Sequence, residues 1–465
     1  MTLLHFIIVP LFASFLAPFF KSYLKYISIA INLSLLLLAF SFIDKIPLRE
    51  SISFNSPLSI AFVLNSASLF FIILFVSILT LLSLYDIKDD SRRDIFILRN
   101  ILLASVSGVV LSGDIFNIYI FFEMVSITAY ILTSLKRDKG AYSGAIRYMI
   151  MGTIASIFLL IGIMGIYLNI GTLNLVTIGE KFLTIDSKVA SLILISLFIG
   201  FGIKVEIFPL NFWVVDIYQA STNWVNALFS SIVSKAYIFL FFHIAYTLKV
   251  DSTILAFLTT IGIISFAISE ISALSSRDIK RIFAYSTLGQ IGILFIGLSS
   301  VSVTALTGAI FLVAVHAITK FMLFLSLDIL EDRFNSTKIE IFAKFNSLFL
   351  ISIFTIGFLS LLGLPPFGGF IAKLTILKGL ASRGDYLLIG AILVISLVEA
   401  IYLFRLLGVN LNRDKKERIE LNVPLYKKII LSLLSIVILY LGIFPQYFLV
   451  LCKIVVYALI GVTNV

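Results

Sequence analysis

Apolar residues along this chain fall into long blocks separated by short polar loops. A membrane-crossing helix needs about 20 mostly apolar residues. Fourteen blocks approach or exceed that length: 2–20, 24–42, 59–84, 95–112, 114–135, 142–168, 189–217, 223–247, 252–274, 280–298, 302–328, 346–379, 386–408 and 426–446. A last apolar stretch, 447–463, is expected to lie along the membrane interface. The pattern predicts an all-α integral membrane protein with about 14 transmembrane helices.

Two of the blocks cannot be single regular helices. The seventh runs through Gly200, Gly202 and Pro209. Proline has no backbone donor, so the carbonyl of Val205 loses its helical partner. The twelfth contains Gly363-Leu-Pro-Pro-Phe-Gly-Gly369. Irregular backbone at membrane depth is tolerated only where protein buries it or a watery cavity meets it. A pair of Gly/Pro-broken spans in corresponding positions of two halves points to a transport site. Here the breaks lie five spans apart, which suggests two five-helix repeats. An odd number of spans per repeat gives the copies opposite topology. The expected organisation is therefore helices 1–3 over 1–93, a first repeat over 94–247, an inverted repeat over 252–408, and helix 14 with a tail over 409–465.

Composition agrees with the bilayer as solvent. The chain has 465 residues, 60% hydrophobic and 13% charged, with mean hydropathy +1.13. Soluble domains average about 45–50% apolar and about 25% charged. One cysteine, Cys452, excludes an internal disulfide and an iron–sulfur cluster held by this chain. The three histidines, His5, His243 and His316, are scattered, so no metal and no redox centre are expected here. The net charge of +10 invites a nucleic-acid reading, but the positive-inside rule accounts for it better. The loops at Lys21 and Lys25, Lys88–Arg93, Lys136–Lys139, Arg277–Arg281, Arg333–Lys344 and Arg413–Lys428 hold 20 Lys and Arg; the alternate loops hold six, Lys45, Arg49, Lys181, Lys188, Lys249 and Arg383. Both termini are therefore expected outside. Met1-Thr-Leu-Leu-His5 brings no basic stretch ahead of the first apolar run, which is taken as the first span.

Several ionisable residues stand inside apolar blocks: Glu123, Lys204, Lys235, His316, Lys320 and Lys373. Each charge at a helix centre costs at least ~2.5–3.5 kcal/mol. Together they would exceed a typical stability margin of ~5–15 kcal/mol unless they face one another or water. Lysine suits a proton relay. Desolvation favours its neutral form, and a nearby carboxylate favours its charged form. At ~4 Å and an effective dielectric of ~20, that carboxylate contributes about 4 kcal/mol. Moving it loads or unloads the amine. Glu123 with Lys204 is the expected pair, with a purely structural ion pair as the competing reading. His316 and Lys320, at i and i+4, share a helix face. Snorkelling at span ends fits Lys249, Lys378 and Lys453. Arg99, Arg147 and Arg405 fit ties between helices or to headgroups, and a satisfied polar contact would account for His243. The 44 Phe and 18 Tyr are read as lipid-facing packing and interfacial belts.

The motifs Gly113-Asp-Ile-Phe-Asn-Ile-Tyr-Ile-Phe-Phe-Glu123, Gly202-Ile-Lys-Val-Glu-Ile-Phe-Pro-Leu-Asn-Phe-Trp213, Asp278-Ile-Lys-Arg-Ile-Phe-Ala-Tyr-Ser286, His316-Ala-Ile-Thr-Lys320 and Gly363-Leu-Pro-Pro-Phe-Gly-Gly-Phe-Ile-Ala-Lys373 occur in this order. With them, residues 60–410 resemble the antiporter-like subunits of respiratory complex I, Mrp-type sodium/proton antiporters and membrane-bound energy-converting hydrogenases. The resemblance implies fourteen core helices, inverted five-helix repeats broken at helices 7 and 12, and a polar chain at mid-membrane. It makes Glu123 and Lys204 the paired acid and lysine, Lys235 the connecting lysine, His316 and Lys320 the second-half relay, and Lys373 the terminal lysine. Lys280 marks either an inner entry or a structural tie.

Departures from the family pattern are Asn211 in place of a frequent histidine, the added acids Glu206 and Glu270, and a Ser221-Thr-Asn-Trp stretch without the usual prolines. Glu206 and Glu270, with Lys280 and His243, are candidate modulators.

The expected function is a proton- or Na+/H+-translocating subunit of a multisubunit, membrane-bound redox complex in the cell membrane. Its partners would be other membrane subunits, further antiporter-like ones among them. Iron–sulfur clusters, with nickel–iron or other redox centres, would sit on those partners, and this chain would hold no cofactor. The alternatives are a subunit of a stand-alone Mrp-type antiporter and an inactive structural subunit.

Overall fold

The computed structural model describes residues 2–20, 23–51, 60–88, 93–411 and 419–461. The loop residues Lys21, Arg92, Arg413, Lys415, Lys416 and Arg418, used in the charge count, lie outside them. In chain order the α-helices are α1 His5–Leu16, α2 Leu24–Ser41, α3 Ser66–Tyr85, α4 Arg93–Leu111, α5 Ile115–Ser134, α6 Lys139–Ile170, α7 Leu175–Lys181, α8 Ser187–Val205, α9 Val214–Ala220, α10 Asn223–Leu228, α11 Ser234–Thr247, α12 Ser252–Ser275, α13 Ile279–Ser299, α14 Val303–Phe334, α15 Leu348–Leu362, α16 Gly368–Ala381, α17 Tyr386–Leu411, α18 Leu425–Ile443 and α19 Gln446–Leu459. Many start where a short polar side chain satisfies a free backbone N–H. Asn65 caps α3, Asp114 α5, Asp138 α6, Asp251 α12 and Asp278 α13.

Among the described residues twelve helical stretches are long and apolar enough to cross a membrane, with shorter apolar helices at His5–Phe19, Leu348–Leu362 and Gln446–Leu459. The chain is a multi-pass membrane protein. At 1.5 Å per residue, the 14 residues of α19 reach about 21 Å, short of the ~30 Å hydrocarbon core.

The start of the third block departs from the helical expectation. Leu48–Ser51 (β1) pairs antiparallel with Ala61–Leu64 (β2), and the helix begins only at Ser66. The run Ala61-Phe-Val-Leu64 is apolar enough to read as helix, but the cap at Asn65 fixes the helix start behind it.

Both interrupted spans are broken where the sequence places the breaks. α8 ends at Val205, and Glu206 takes a left-handed conformation, φ +66°. Short turns pass Pro209 before α9 begins. α15 ends at Leu362, and Gly363 caps it at φ +76°, its N–H turned back to the carbonyls of Leu359 and Ser360. Glycine takes that conformation without the steric cost of a Cβ. α16 then restarts at Gly368.

The chain packs into two compact units. The first draws on Met1–Val205, Ile232–Val250 and Tyr457–Val465. In it α6 and α8 lie close, since a Cβ on Gly200 would stand 2.8 Å from the Ala155 carbonyl. Small residues permit such approach where lipid offers no hydrophobic drive. The second unit draws on Glu206–Ser231 and Asp251–Val456. There α12 and α13 cross at Gly262 and Gly292, each within 3 Å of the other's carbonyl once a Cβ is added.

Candidate ion-translocation site

In the first unit the lysine comes from the last turn of α8. Lys204 is 1% exposed. Its Nζ donates to the Tyr130 hydroxyl at 2.9 Å. Four rings surround it, with centroids at 4.8 Å for Tyr130 and Tyr148, 5.7 Å for Phe122 and 5.9 Å for Tyr237. Each ring face attracts the ammonium by roughly 0.5–2 kcal/mol, more as water is excluded.

The floor of this cage is Gly152 on α6. A Cβ there would fall 1.6 Å from the Tyr130 hydroxyl oxygen and 2.8 Å from Lys204 Nζ. One turn on, Ser156 donates to Glu123 while also bonding the Gly152 carbonyl. Glu123 and Lys204 thus meet successive turns of one α6 face, about 6 Å apart along the axis. Hydroxyls extend the cluster, for Ser126 and Tyr237 share a hydrogen bond of 2.9 Å. The expected acid and lysine face the same side of α6, the acid bonded to Ser156 and the lysine to Tyr130 inside a ring of aromatic faces.

Lys235, fully buried, stands at the start of α11 and donates to Ser234 at 3.1 Å. The turn before it, Phe229–Val233, is π-helical. Such bulges recur at functional positions, and nothing in the residue pattern announced this one. His243 stacks on Phe239 at 5.3 Å.

The second unit holds a different arrangement. Lys320, fully buried on α14, donates to the Phe283 carbonyl at 2.9 Å and lies 5.5 Å from that residue's ring. His316, 1% exposed, precedes it by one turn. Lys373 on α16 reaches two acceptors: the Leu362 carbonyl at 3.3 Å, freed by the end of α15, and Glu399 at 2.8 Å. The break therefore supplies a helix-end carbonyl, which favours a cation. Glu399, fully buried on α17, also accepts from Gln290 at 2.8 Å. Glu270, fully buried on α12, accepts from Tyr402 at 2.8 Å.

Sequence reasoning listed Glu270 as a modulator and passed over Glu399. The available signal was an acid inside the apolar run 386–408, which costs as much there as the lysines do. Lys280 is 1% exposed and pairs with Glu331 at 2.8 Å while donating to the Ser221 carbonyl at 3.0 Å. Asn223 also donates to Glu331, at 2.6 Å. The Ser221-Thr-Asn-Trp stretch thus supplies polar groups to this pair. Glu206 is 4% exposed, at the left-handed turn after α8. Arg405 ties α17 to the end of α12 through the carbonyls of Leu274 and Ser276, both at 2.8 Å. Among the described residues no group of three or more His, Cys, Asp or Glu side chains is placed to hold a metal ion.

The family model described as NADH:quinone oxidoreductase/Mrp antiporter, transmembrane, matches residues 112–399, more than half of the chain. The chain belongs to this family. Both broken spans and all the buried lysines above lie inside the matched region. An antiporter-like relative, the putative antiporter subunit mnhD2 of Staphylococcus saprophyticus, is 29% identical over 435 residues, 88% of this chain and 84% of its own length. The protein of the same name from Staphylococcus aureus is 29% identical over 406 residues, 84% of this chain and 80% of its own length.

Among solved structures, a chain of the membrane-bound sulfane sulfur reductase, an archaeal respiratory membrane complex, superposes with TM-score 0.93 at 27% identity, covering 99% of both chains. A chain of the Mrp complex from Dietzia superposes at 0.90 with 21% identity, covering 99% of this chain and 97% of its own, and shows the same fold. These structural relatives are parts of multisubunit membrane complexes. The chain is an antiporter-like subunit related to them.

Proposed function

We propose that this antiporter-like subunit moves protons, or exchanges them for sodium, within a multisubunit membrane complex driven by redox chemistry on its partners. One observation carries the reading: Lys204, Lys235, Lys320 and Lys373 are each no more than 7% exposed inside apolar helices. Such charges are kept where they serve ion paths. Glu123 and Lys204 are the acid and lysine of the first unit, Lys235 the connecting lysine, His316 and Lys320 the second-unit relay, and Lys373 the terminal lysine. Glu206, Lys280 and His243 modulate it.

Iron–sulfur and other redox centres belong to the partner subunits, and further antiporter-like subunits are among those partners. The complex sits in the cell membrane with both termini of this chain outside. The likeness to a chain of a respiratory membrane complex over 99% of both lengths favours the redox-driven reading. The mnhD2 relatives favour a second one, a stand-alone Na+/H+ antiporter.

The test is the assembled complex in proteoliposomes. Lys204→Met and Glu123→Gln are expected to lower ion translocation at least tenfold while the subunits still co-purify. Wild-type rates in both would overturn the reading in favour of a scaffold. Sodium/proton exchange sustained with no electron donor would select the second reading.

A further inference from the structure

Two acids of the second unit meet neighbouring residues of α13. A Cβ on Gly289 would stand 1.9 Å from Glu270 Oε1, so that carboxyl lies against the helix backbone. The next residue, Gln290, donates its amide to Glu399 Oε1 at 2.8 Å. Tyr402 stands three residues after Glu399, on the same side of α17. Its hydroxyl donates to Glu270 Oε2 at 2.8 Å. Four helices thus converge with α13: α12 brings Glu270, α17 brings Glu399 and Tyr402, α16 brings Lys373 and α14 brings Lys320. Lys320, Lys373 and Glu399 all lie within electrostatic reach of Glu270.

The two acids are held differently. Glu399 has both oxygens engaged, Oε2 by the Lys373 ammonium and Oε1 by the Gln290 amide. An ionised carboxylate accepts only, and both donors here reward that form. Glu270 has one oxygen engaged by Tyr402, while Oε1 is buried with no hydrogen-bond partner among the described residues. An ionised Glu270 leaves a charged oxygen buried without a donor, and a protonated one buries a neutral group, which costs less. The site therefore rewards the ionised form of Glu399 with two donors and gives Glu270 no such bias.

Resting on the transport reading above, we propose that Glu270 is the proton-exchanging acid of the second unit and that Glu399 is the standing counter-charge of Lys373. In the exchange an N–H bond of the Lys320 ammonium breaks and an O–H bond forms on Glu270. The ammonium becomes an amine and the carboxylate an acid. The net charge of Lys320, Lys373, Glu270 and Glu399 stays at zero through the transfer, so no uncompensated charge is stranded in the apolar interior. Tyr402 positions the acceptor by fixing Oε2.

The experiment uses the whole complex in proteoliposomes, with translocation rates and infrared difference spectra recorded on turnover. Glu270→Gln is expected to lower translocation at least tenfold with assembly intact and to abolish a carboxylic-acid C=O difference band present in the wild type. Glu270→Asp restores part of the rate. Tyr402→Phe leaves the acid in place, slows translocation several-fold and shifts the band. This variant serves if Glu270→Gln does not assemble. A wild-type band and rate in Glu270→Gln, or in Tyr402→Phe if that variant alone assembles, overturn the inference. If Lys204→Met and Glu123→Gln have collapsed in the same preparation, only this inference falls. If they too run at wild-type rate, the transport reading falls with it.

Discussion

Lys204 and Lys373 are both ammonium groups buried beside a broken helix, yet their surroundings differ in kind. Lys204 lies among four aromatic rings and donates to a phenol, with Glu123 engaged one α6 turn away. Lys373 is bonded directly to a buried carboxylate and to a helix-end carbonyl. Ring faces and a hydroxyl stabilise a cation by small increments, so the neutral amine is not heavily penalised. A buried carboxylate binds more strongly and penalises loss of either charge. The first arrangement suits a lysine that sheds and regains its proton. The second suits one whose charge is held while a neighbouring acid exchanges.

The largest effect should come from splitting the stronger pair. Glu399→Leu leaves the Lys373 ammonium buried without its carboxylate and should destabilise the complex by about 3–5 kcal/mol. Thermal unfolding of the assembled complex is the measurement. Adding Lys373→Met removes the stranded charge and should recover most of that stability, because an apolar replacement for a buried ion pair is often neutral. Equal losses in the single and double variants would show that the pair is not what holds this region. Transport should stay lost in both.

Next in size is the Tyr130 hydroxyl. Tyr130→Phe keeps the ring and removes the acceptor of Lys204, so about 1.5–3 kcal/mol of stabilisation of the charged amine is expected to go. Translocation should fall several-fold, because the ammonium loses its hydroxyl acceptor in the aromatic cage. An unchanged rate would mean the phenol does not address the lysine's charge. Gly152→Ala attacks the same bond from below. Its methyl would overlap the phenol oxygen, and such overpacking costs about 1–3 kcal/mol. Thermal unfolding together with the transport rate reads it. A rate and stability unchanged in Gly152→Ala would mean that the cage is looser than drawn.

Much of this was legible in the chain itself. The span pattern, the breaks at Pro209 and Pro365-Pro366 and the lysines inside apolar blocks all follow from local composition. They depend only on what a single helix can bury. Glu399 was open to the same argument, since it interrupts an apolar run. The cage around Lys204 was not. Phe122, Tyr130, Tyr148 and Tyr237 come from three helices, and a residue pattern along one helix carries no trace of a contact made by another. Their abundance was read as lipid-facing packing, and these four instead enclose a charge. The π-helical turn before Lys235 was equally silent, because a one-residue change in hydrogen-bond register leaves the hydrophobic pattern intact. The strand Ala61–Leu64 was hidden in an apolar run that length alone assigns to a helix.

The smallest expected effect asks whether ring faces matter at all beside Lys204. Tyr148 is 3% exposed, its centroid is 4.8 Å from Nζ, and its ring meets that of Tyr130 edge-on at 4.8 Å. Tyr148→Phe keeps the π-face and should leave translocation within about twofold of wild type. Tyr148→Leu keeps an apolar side chain and loses the face, at about 0.5–2 kcal/mol for a desolvated cation. Translocation in Tyr148→Leu should therefore fall below that of Tyr148→Phe, and by less than in Tyr130→Phe. If Phe and Leu at position 148 behave alike, the rings around Lys204 serve only to fill space. The contrast between the two lysines then reduces to the hydroxyl on one side and the carboxylate on the other.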